Sequence, residues 1–231
     1  MLIAFTGNGG SGKTTIARAL YTKLDERDVR YIHHVSWLPQ ATRNILAKVW
    51  WALRFWLYFD WRIMRAYWPY VWQNRGPQTK LKYFVYMVYM APILAYNLKQ
   101  LTNTKLSRDL LVYDTDILVP LAELGDSVQI RRFVAEVILP KAGSLLVVSV
   151  STPHDISVRR WCEREQKTFS EEQIQTLIAE REERYQKSEM VVAAISSLPH
   201  ISLIRLEGTG DPEENARTIL DKYEALMHKP V

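Results

Sequence analysis

The sequence predicts an α/β fold, an open five-stranded parallel sheet with helices on both faces. Two observations point to it. Along 231 residues, short apolar runs bounded by glycine, proline or acidic residues alternate with longer segments whose apolar residues recur every three to four positions. That alternation is the pattern of strands and crossover helices, and a strand buried on both faces reads as an unbroken apolar run. In addition, the first run passes through a glycine-rich loop directly into a helix, the unit from which parallel sheets are built.

The strands expected are "LIAFT" (2–6), "VRYIHHV" (29–35), "DLLVYD" (109–114), "SLLVVSVS" (144–151) and "HISLIRL" (200–206), the last closed by Gly208-Thr209-Gly210. "KTTIARALYTKL" (13–24) sets Ile16, Ala19, Leu20 and Leu24 at helical spacing, and "DSVQIRRFVAEVIL" (126–139) keeps the same period. "SEEQIQTLIAEREERYQKSEMVVAAI" (170–195) opens with a Ser170…Gln173 capping box. "DPEENARTILDKYEALM" (211–227) opens with an N-cap Asp211, then Pro212 and early acids. The chain is expected to be one domain, 1–231. It carries a helical aromatic and basic insertion at about 40–108 and a lid at about 153–170.

Composition narrows the class. A single cysteine, Cys162, excludes an intramolecular disulfide framework and fits a reducing compartment. The first residues lack a basic region and a small-residue cleavage site, so the expectation is a cytoplasmic protein without a signal peptide. The net charge of +5 is unevenly placed: Lys48 to Arg108 holds ten basic residues, with Asp60 the one acid. Six of the eight tryptophans and seven of the twelve tyrosines fall in the same stretch.

"AFTGNGGSGKTT" (4–15) fits two glycine patterns at once. Gly7, Gly9 and Gly12 satisfy G-x-G-x-x-G, the dinucleotide fingerprint. Gly7 through Thr14 satisfy G-x-x-x-x-G-K-S/T, the phosphate loop (Walker A) of enzymes using ATP or GTP. A dinucleotide site needs an acid near the end of the second strand to hold a ribose, and that strand ends in His33-His34-Val35. A triphosphate site needs lysine and a hydroxyl right after the last glycine, and Lys13-Thr14 supply them. The triphosphate reading is therefore preferred. Gly7, Asn8, Gly9, Gly10, Ser11 and Gly12 would then cradle phosphate oxygens with backbone N–H groups, at a helix N-terminus that favours anions. Lys13 would reach the β- and γ-phosphates, Thr14 would ligate Mg2+, and Thr15 would touch the α-phosphate. No N-K-x-D stretch of the guanine-reading kind occurs, which tilts the nucleotide towards ATP.

"LLVYDTD" ends a strand in Asp114, with Asp116 two residues on. A carboxylate there positions Mg2+, a role given to Asp114, and the other can take the proton of an acceptor hydroxyl. Asp116 also reads as a turn cap before Pro120. After the fourth strand, "STPHDISVRRWCEREQKTF" crowds Arg159, Arg160, Arg164 and Lys167 on a short helix, with Arg160 and Arg164 one turn apart. These cations can clamp a transferring phosphoryl group under a closed lid, or form a solvated face paired with Glu163 and Glu165. His33 and His34 point opposite ways on a strand and make no chelating pair.

In this order the pieces resemble the thymidylate kinase-like branch of the nucleoside monophosphate kinase superfamily. "FTGNGGSGKTT" is similar to F-E-G-x-D-G-x-G-K-T-T, "LLVYDTD" stands in place of D-R-Y/H, and "SVSTPHDISVRRWCERE" looks like the strand, proline and arginine-rich lid. "RLEGTGDPEENARTIL" is similar to the closing strand, turn and helix, whose turn contacts adenine and would here involve Gly208. The resemblance covers about 2–35 and 109–227 and implies a P-loop kinase with ATP and Mg2+. Two positions depart from it. The family's acidic loop residue, on the nucleotide sugar, is Gly9, and its acceptor-binding arginine is Thr115. The resemblance thus implies an intact donor half and an acceptor other than thymidylate.

The block at 48–108 corresponds to the acceptor side. Its longest uncharged run, Tyr83 to Leu98, has 16 residues with Pro92 inside, short of the roughly 20 that span a bilayer. Three readings compete: packed helices or a homodimer interface, a lipid-facing surface serving a lipid or lipid-linked acceptor, and, least favoured, single-stranded nucleic acid stacked on the rings. The function expected is a small-molecule kinase. Its alternatives are a nucleoside or nucleoside monophosphate kinase with altered recognition, and a regulatory ATP-binding protein docking on a membrane or partner.

Overall fold

A computed structural model describes residues 1–24, 29–32, 110–113, 119–122, 126–166 and 168–227. His33, His34, Asp114, Asp116, Lys167 and the aromatic and basic block lie outside the described residues. Five strands, β1 (Leu2–Thr6), β2 (Val29–Ile32), β3 (Leu110–Tyr113), β4 (Leu145–Ser151) and β5 (Ile201–Glu207), form one sheet in the order β2-β3-β1-β4-β5. Every neighbouring pair is parallel. The α-helices among the described residues are α1 (Lys13–Lys23), α2 (Val119–Ala122), α3 (Ser127–Phe133), α4 (Leu139–Ala142), α5 (His154–Glu165), α6 (Glu171–Ile195) and α7 (Pro212–Met227).

β1 is buried along its whole length because both faces of the sheet are covered. Alternation along the strands sorts the core into two clusters. Leu2 and Ala4 of β1 and Leu145 and Val147 of β4 face α3 and the C-terminal half of α6. Ile3, Phe5, Leu146, Val148 and Val150 face α1 and α7, meeting Ile16, Leu20 and Ile219. β1 therefore sits between β3 and β4. The chain leaves it towards β2 on one side and later crosses to β4 on the other. In open α/β sheets ligands bind at the carboxyl ends of the strands beside such a reversal, and there β1 delivers the glycine loop.

The segment expected as one helix over 126–139 has a different course. α3 opens on Asp126, whose side chain accepts from the Val128 N–H at 2.9 Å. A π-helical turn follows at Val134–Ile138, and α4 continues to Ala142. Pro140 supplies the reason: it has no N–H for the preceding turn, and its ring would strike the Glu136 carbonyl. Widening the helix by one residue relieves both. Among the described residues, no helix is long and apolar enough to cross a membrane.

Candidate functional site: the glycine loop and its neighbours

The loop between β1 and α1 is held by three other elements. Gly10 adopts φ 86°, and a Cβ there would lie 2.2 Å from the Ser157 carbonyl oxygen of α5, so both conformation and space demand glycine. Gly208, just past β5, packs so closely that a Cβ would come within 1.7 Å of the Ser11 carbonyl oxygen. At the end of β4 the buried Thr152 hydroxyl donates to that carbonyl at 3.1 Å. The Gly208 N–H donates to the Ser151 carbonyl at 2.7 Å, so the β5 turn is pinned to β4 as well. The loop backbone is thus preorganised by contacts among Gly7, Gly10, Ser11, Gly208 and the strand ends.

Lys13 opens α1, and its ammonium folds back over the loop. Nζ donates to the carbonyls of Gly7 at 2.5 Å and Asn8 at 2.7 Å and lies 3.4 Å from Ser11 Oγ. These bonds hold a cation on the loop at the helix N-terminus, where backbone dipoles and ammonium both favour an anion. Thr14, in the first turn of α1, is half-buried and Thr15 is exposed. Of the two groups expected to hold Mg2+, the Thr14 hydroxyl belongs to the first turn of α1, and Asp114 lies outside the described residues. Among the described residues, no group of three His, Cys, Asp or Glu side chains could hold a metal by itself.

The arginines expected in the lid are all on α5, and the structure separates them. Arg160 donates from Nη1 to the Gly208 carbonyl at 3.1 Å, on the β5-turn side of the loop. Arg159 and Arg164 are exposed on the same helix. Cys162 is a partly buried free thiol. The capping box forms: the Ser170 hydroxyl accepts from the Gln173 N–H, and Gln173 Oε1 accepts from the Ser170 N–H at 2.9 Å. This fixes where the segment after α5 gives way to α6.

Two residues that sequence reasoning passed over contact the loop directly. His154, the first residue of α5, accepts at Nδ1 from the Asn8 side-chain amide at 3.1 Å, and its ring meets Tyr185 edge-on at 5.6 Å. Arg181 of α6 donates from Nη1 to the Gly9 carbonyl, and its Cζ lies 5.2 Å from the Trp161 ring centroid. The signal for Arg181 is in the sequence. Ile195, Val192 and Ser188 form the buried stripe of α6, and the same helical period carries that stripe on to Tyr185 and Arg181. Within "EREERYQK", however, Arg181 reads as one more solvated charge.

The seam between α6 and the sheet grows polar towards the loop. Thr6, Ser149 and Arg205 lie in register across β1, β4 and β5. Ser188 pairs with Thr6 through their hydroxyls at 2.5 Å, both buried. Glu189 accepts from Ser149 at 3.0 Å and from Arg205 at 2.8 Å. Burial raises the pKa of the Tyr185 hydroxyl, the Glu189 charge adds to the rise, and Arg205 opposes it.

No family model and no curated protein matches the sequence. Solved structures similar to the chain include deoxyadenosine kinase from M. mycoides with bound dCTP. It is 18% identical with a TM-score of 0.46, the match covering 97% of this chain and 100% of that one. Another is shikimate kinase from Acinetobacter baumannii in complex with shikimate, 16% identical with a TM-score of 0.48, covering 99% and 95%.

Proposed function

We propose that the chain is an ATP- and Mg2+-dependent phosphotransferase acting on a small acceptor. The observation that supports this best is the Lys13 ammonium folded over a glycine loop braced by β4, α5 and the β5 turn. A dinucleotide site has no use for that lysine, whereas a triphosphate needs a cation within reach of its β- and γ-oxygens. In this reading the backbone amides of 8 to 14 hold the phosphates, and Lys13 exchanges neutral carbonyl oxygens for charged phosphate oxygens, which add the attraction of opposite charges. Thr14 and Asp114 would hold Mg2+, which would supply positive charge against the phosphates. Asp116 accepts the acceptor's hydroxyl proton. Arg159, Arg160 and Arg164 close over the nucleotide with the lid, Arg160 beside Gly208. The protein's contribution is positioning and electrostatics in a site closed to water.

The block at 48–108 is the proposed acceptor side, and its tryptophan, tyrosine, lysine and arginine content favours a lipid or lipid-linked acceptor. The test is transfer from γ-labelled ATP with Mg2+ to nucleosides, nucleoside monophosphates, sugars and a total lipid extract, with Lys13→Ala as control. Label in an extractable lipid, lost in Lys13→Ala, is the expected result. Label on a nucleoside or nucleoside monophosphate would replace the lipid acceptor with a nucleotide-type one. Transfer to none of them, with ATP still bound, would overturn the kinase reading in favour of a regulatory ATP-binding protein.

A further inference from the structure

Gly9 is the loop glycine whose conformation does not explain it. Gly7, Gly10 and Gly12 hold positive φ, and Gly9 does not. What its missing side chain provides is room. A Cβ at Gly9 would lie 2.7 Å from Arg181 Nη1 and 3.6 Å from its Cζ, so the guanidinium fills the place a side chain would take. That guanidinium is held from behind. Its Cζ stands over the Trp161 indole, and Trp161 in turn stacks on Phe169 with centroids 5.9 Å apart and planes inclined by 24°. Trp161 extends the buried stripe of α5, one turn beyond Ser157 and Val158. Phe169 belongs to the turn leading into α6. The stack therefore joins the lid helix, the lid turn and, through Arg181, the glycine loop.

The two cations divide the loop between them: Lys13 occupies the carbonyls of Gly7 and Asn8, and Arg181 that of the next residue, Gly9. An incoming triphosphate presents charged oxygens to both. A guanidinium carries five N–H donors in one plane, so Arg181 can turn from a neutral carbonyl to a phosphate oxygen while its face stays on the indole.

We propose that Trp161 is a positioning residue: its indole, with the space left by Gly9, seats Arg181 at the end of the loop that receives the γ-phosphate. This rests on the kinase reading above. It separates from a merely structural role because a γ-phosphate contact is felt by ATP and not by ADP, whereas a disturbed lid helix weakens both.

The experiment is calorimetric titration of Mg·ATP and Mg·ADP into the full chain, its variants, and Lys13→Ala. Arg181→Ala and Trp161→Ala are each expected to weaken ATP about tenfold or more while ADP changes by less than about twofold, as for one charge-assisted bond to the third phosphate. The double variant should be no worse than Arg181→Ala, since the indole acts through the guanidinium. Trp161→Phe should recover most of the loss by keeping a ring face. Gly9→Ala, where only the flexible end of Arg181 must move, should reproduce the ATP-selective loss without lowering the melting temperature. Equal weakening of ATP and ADP in Trp161→Ala, or losses that add in the double variant, would overturn the proposal while leaving the kinase reading intact. Wild-type protein that binds neither nucleotide would overturn both.

Discussion

At Gly208 one methyl group decides whether the loop keeps its place, since a Cβ would meet the Ser11 carbonyl oxygen at 1.7 Å and Thr152 Oγ1 at 2.5 Å. Neither neighbour yields cheaply, one being backbone and the other a buried side chain at a strand end. Gly208→Ala is expected to cost about 1–3 kcal/mol, which for a domain of this size lowers the melting temperature by several degrees. It should also weaken nucleotide binding, because the displaced carbonyl belongs to the loop. Differential scanning calorimetry checks the first effect, and an unchanged melting temperature would mean that the β5 turn gives way freely. At this scale the sequence was unevenly informative. Lys13 and Thr14 stood out because their spacing from Gly7 and Gly12 is a purely local relation. Arg181 and His154 were not, because each reaches the loop only after two distant segments pack, and a charged helix face looks the same in sequence whether it meets water or a ligand.

Among the described elements, α6 runs from core to site along one face. Its C-terminal half packs Val191, Val192 and Ile195 on the sheet, and its next turns carry Ser188, Glu189, Tyr185 and Arg181 along the strands towards the loop. The hydroxyl pair of Thr6 and Ser188 is buried where this change begins. A double-mutant cycle of Thr6→Val and Ser188→Ala should give a coupling of about 0.5–1.5 kcal/mol in chemical denaturation, the range of one net hydrogen bond. Additive effects would mean that the two hydroxyls pack side by side without stabilising each other. Helix starts at Ser170 and Asp211 could be read directly, since a cap depends on three or four consecutive residues. The π turn at Val134–Ile138 could not. The apolar period runs through it undisturbed, and only the fit of the Pro140 ring against the preceding turn reveals the extra residue.

For the molecule as a whole, the strands were legible and their order was not. Apolar runs mark β1, β4 and β5 plainly, but which parallel strand lies beside which is decided by crossover packing over many residues, and the order β2-β3-β1-β4-β5 emerges only in three dimensions. That order places the glycine loop between the ends of β3 and β4 and brings Arg160, Arg181, His154 and Gly208 around it from α5, α6 and the β5 turn. The central claim is that this convergence binds a triphosphate through Lys13. The most direct test is thermal unfolding of wild type and Lys13→Ala with Mg·ATP or a nicotinamide dinucleotide. At about a hundred times its dissociation constant a ligand adds roughly 2.7 kcal/mol, enough to raise the melting temperature of this chain by about 5–10 °C. The account predicts that rise for wild type with Mg·ATP, its loss in Lys13→Ala, and no rise with the dinucleotide. A rise with the dinucleotide alone, or an equal rise with Mg·ATP in both proteins, would contradict it.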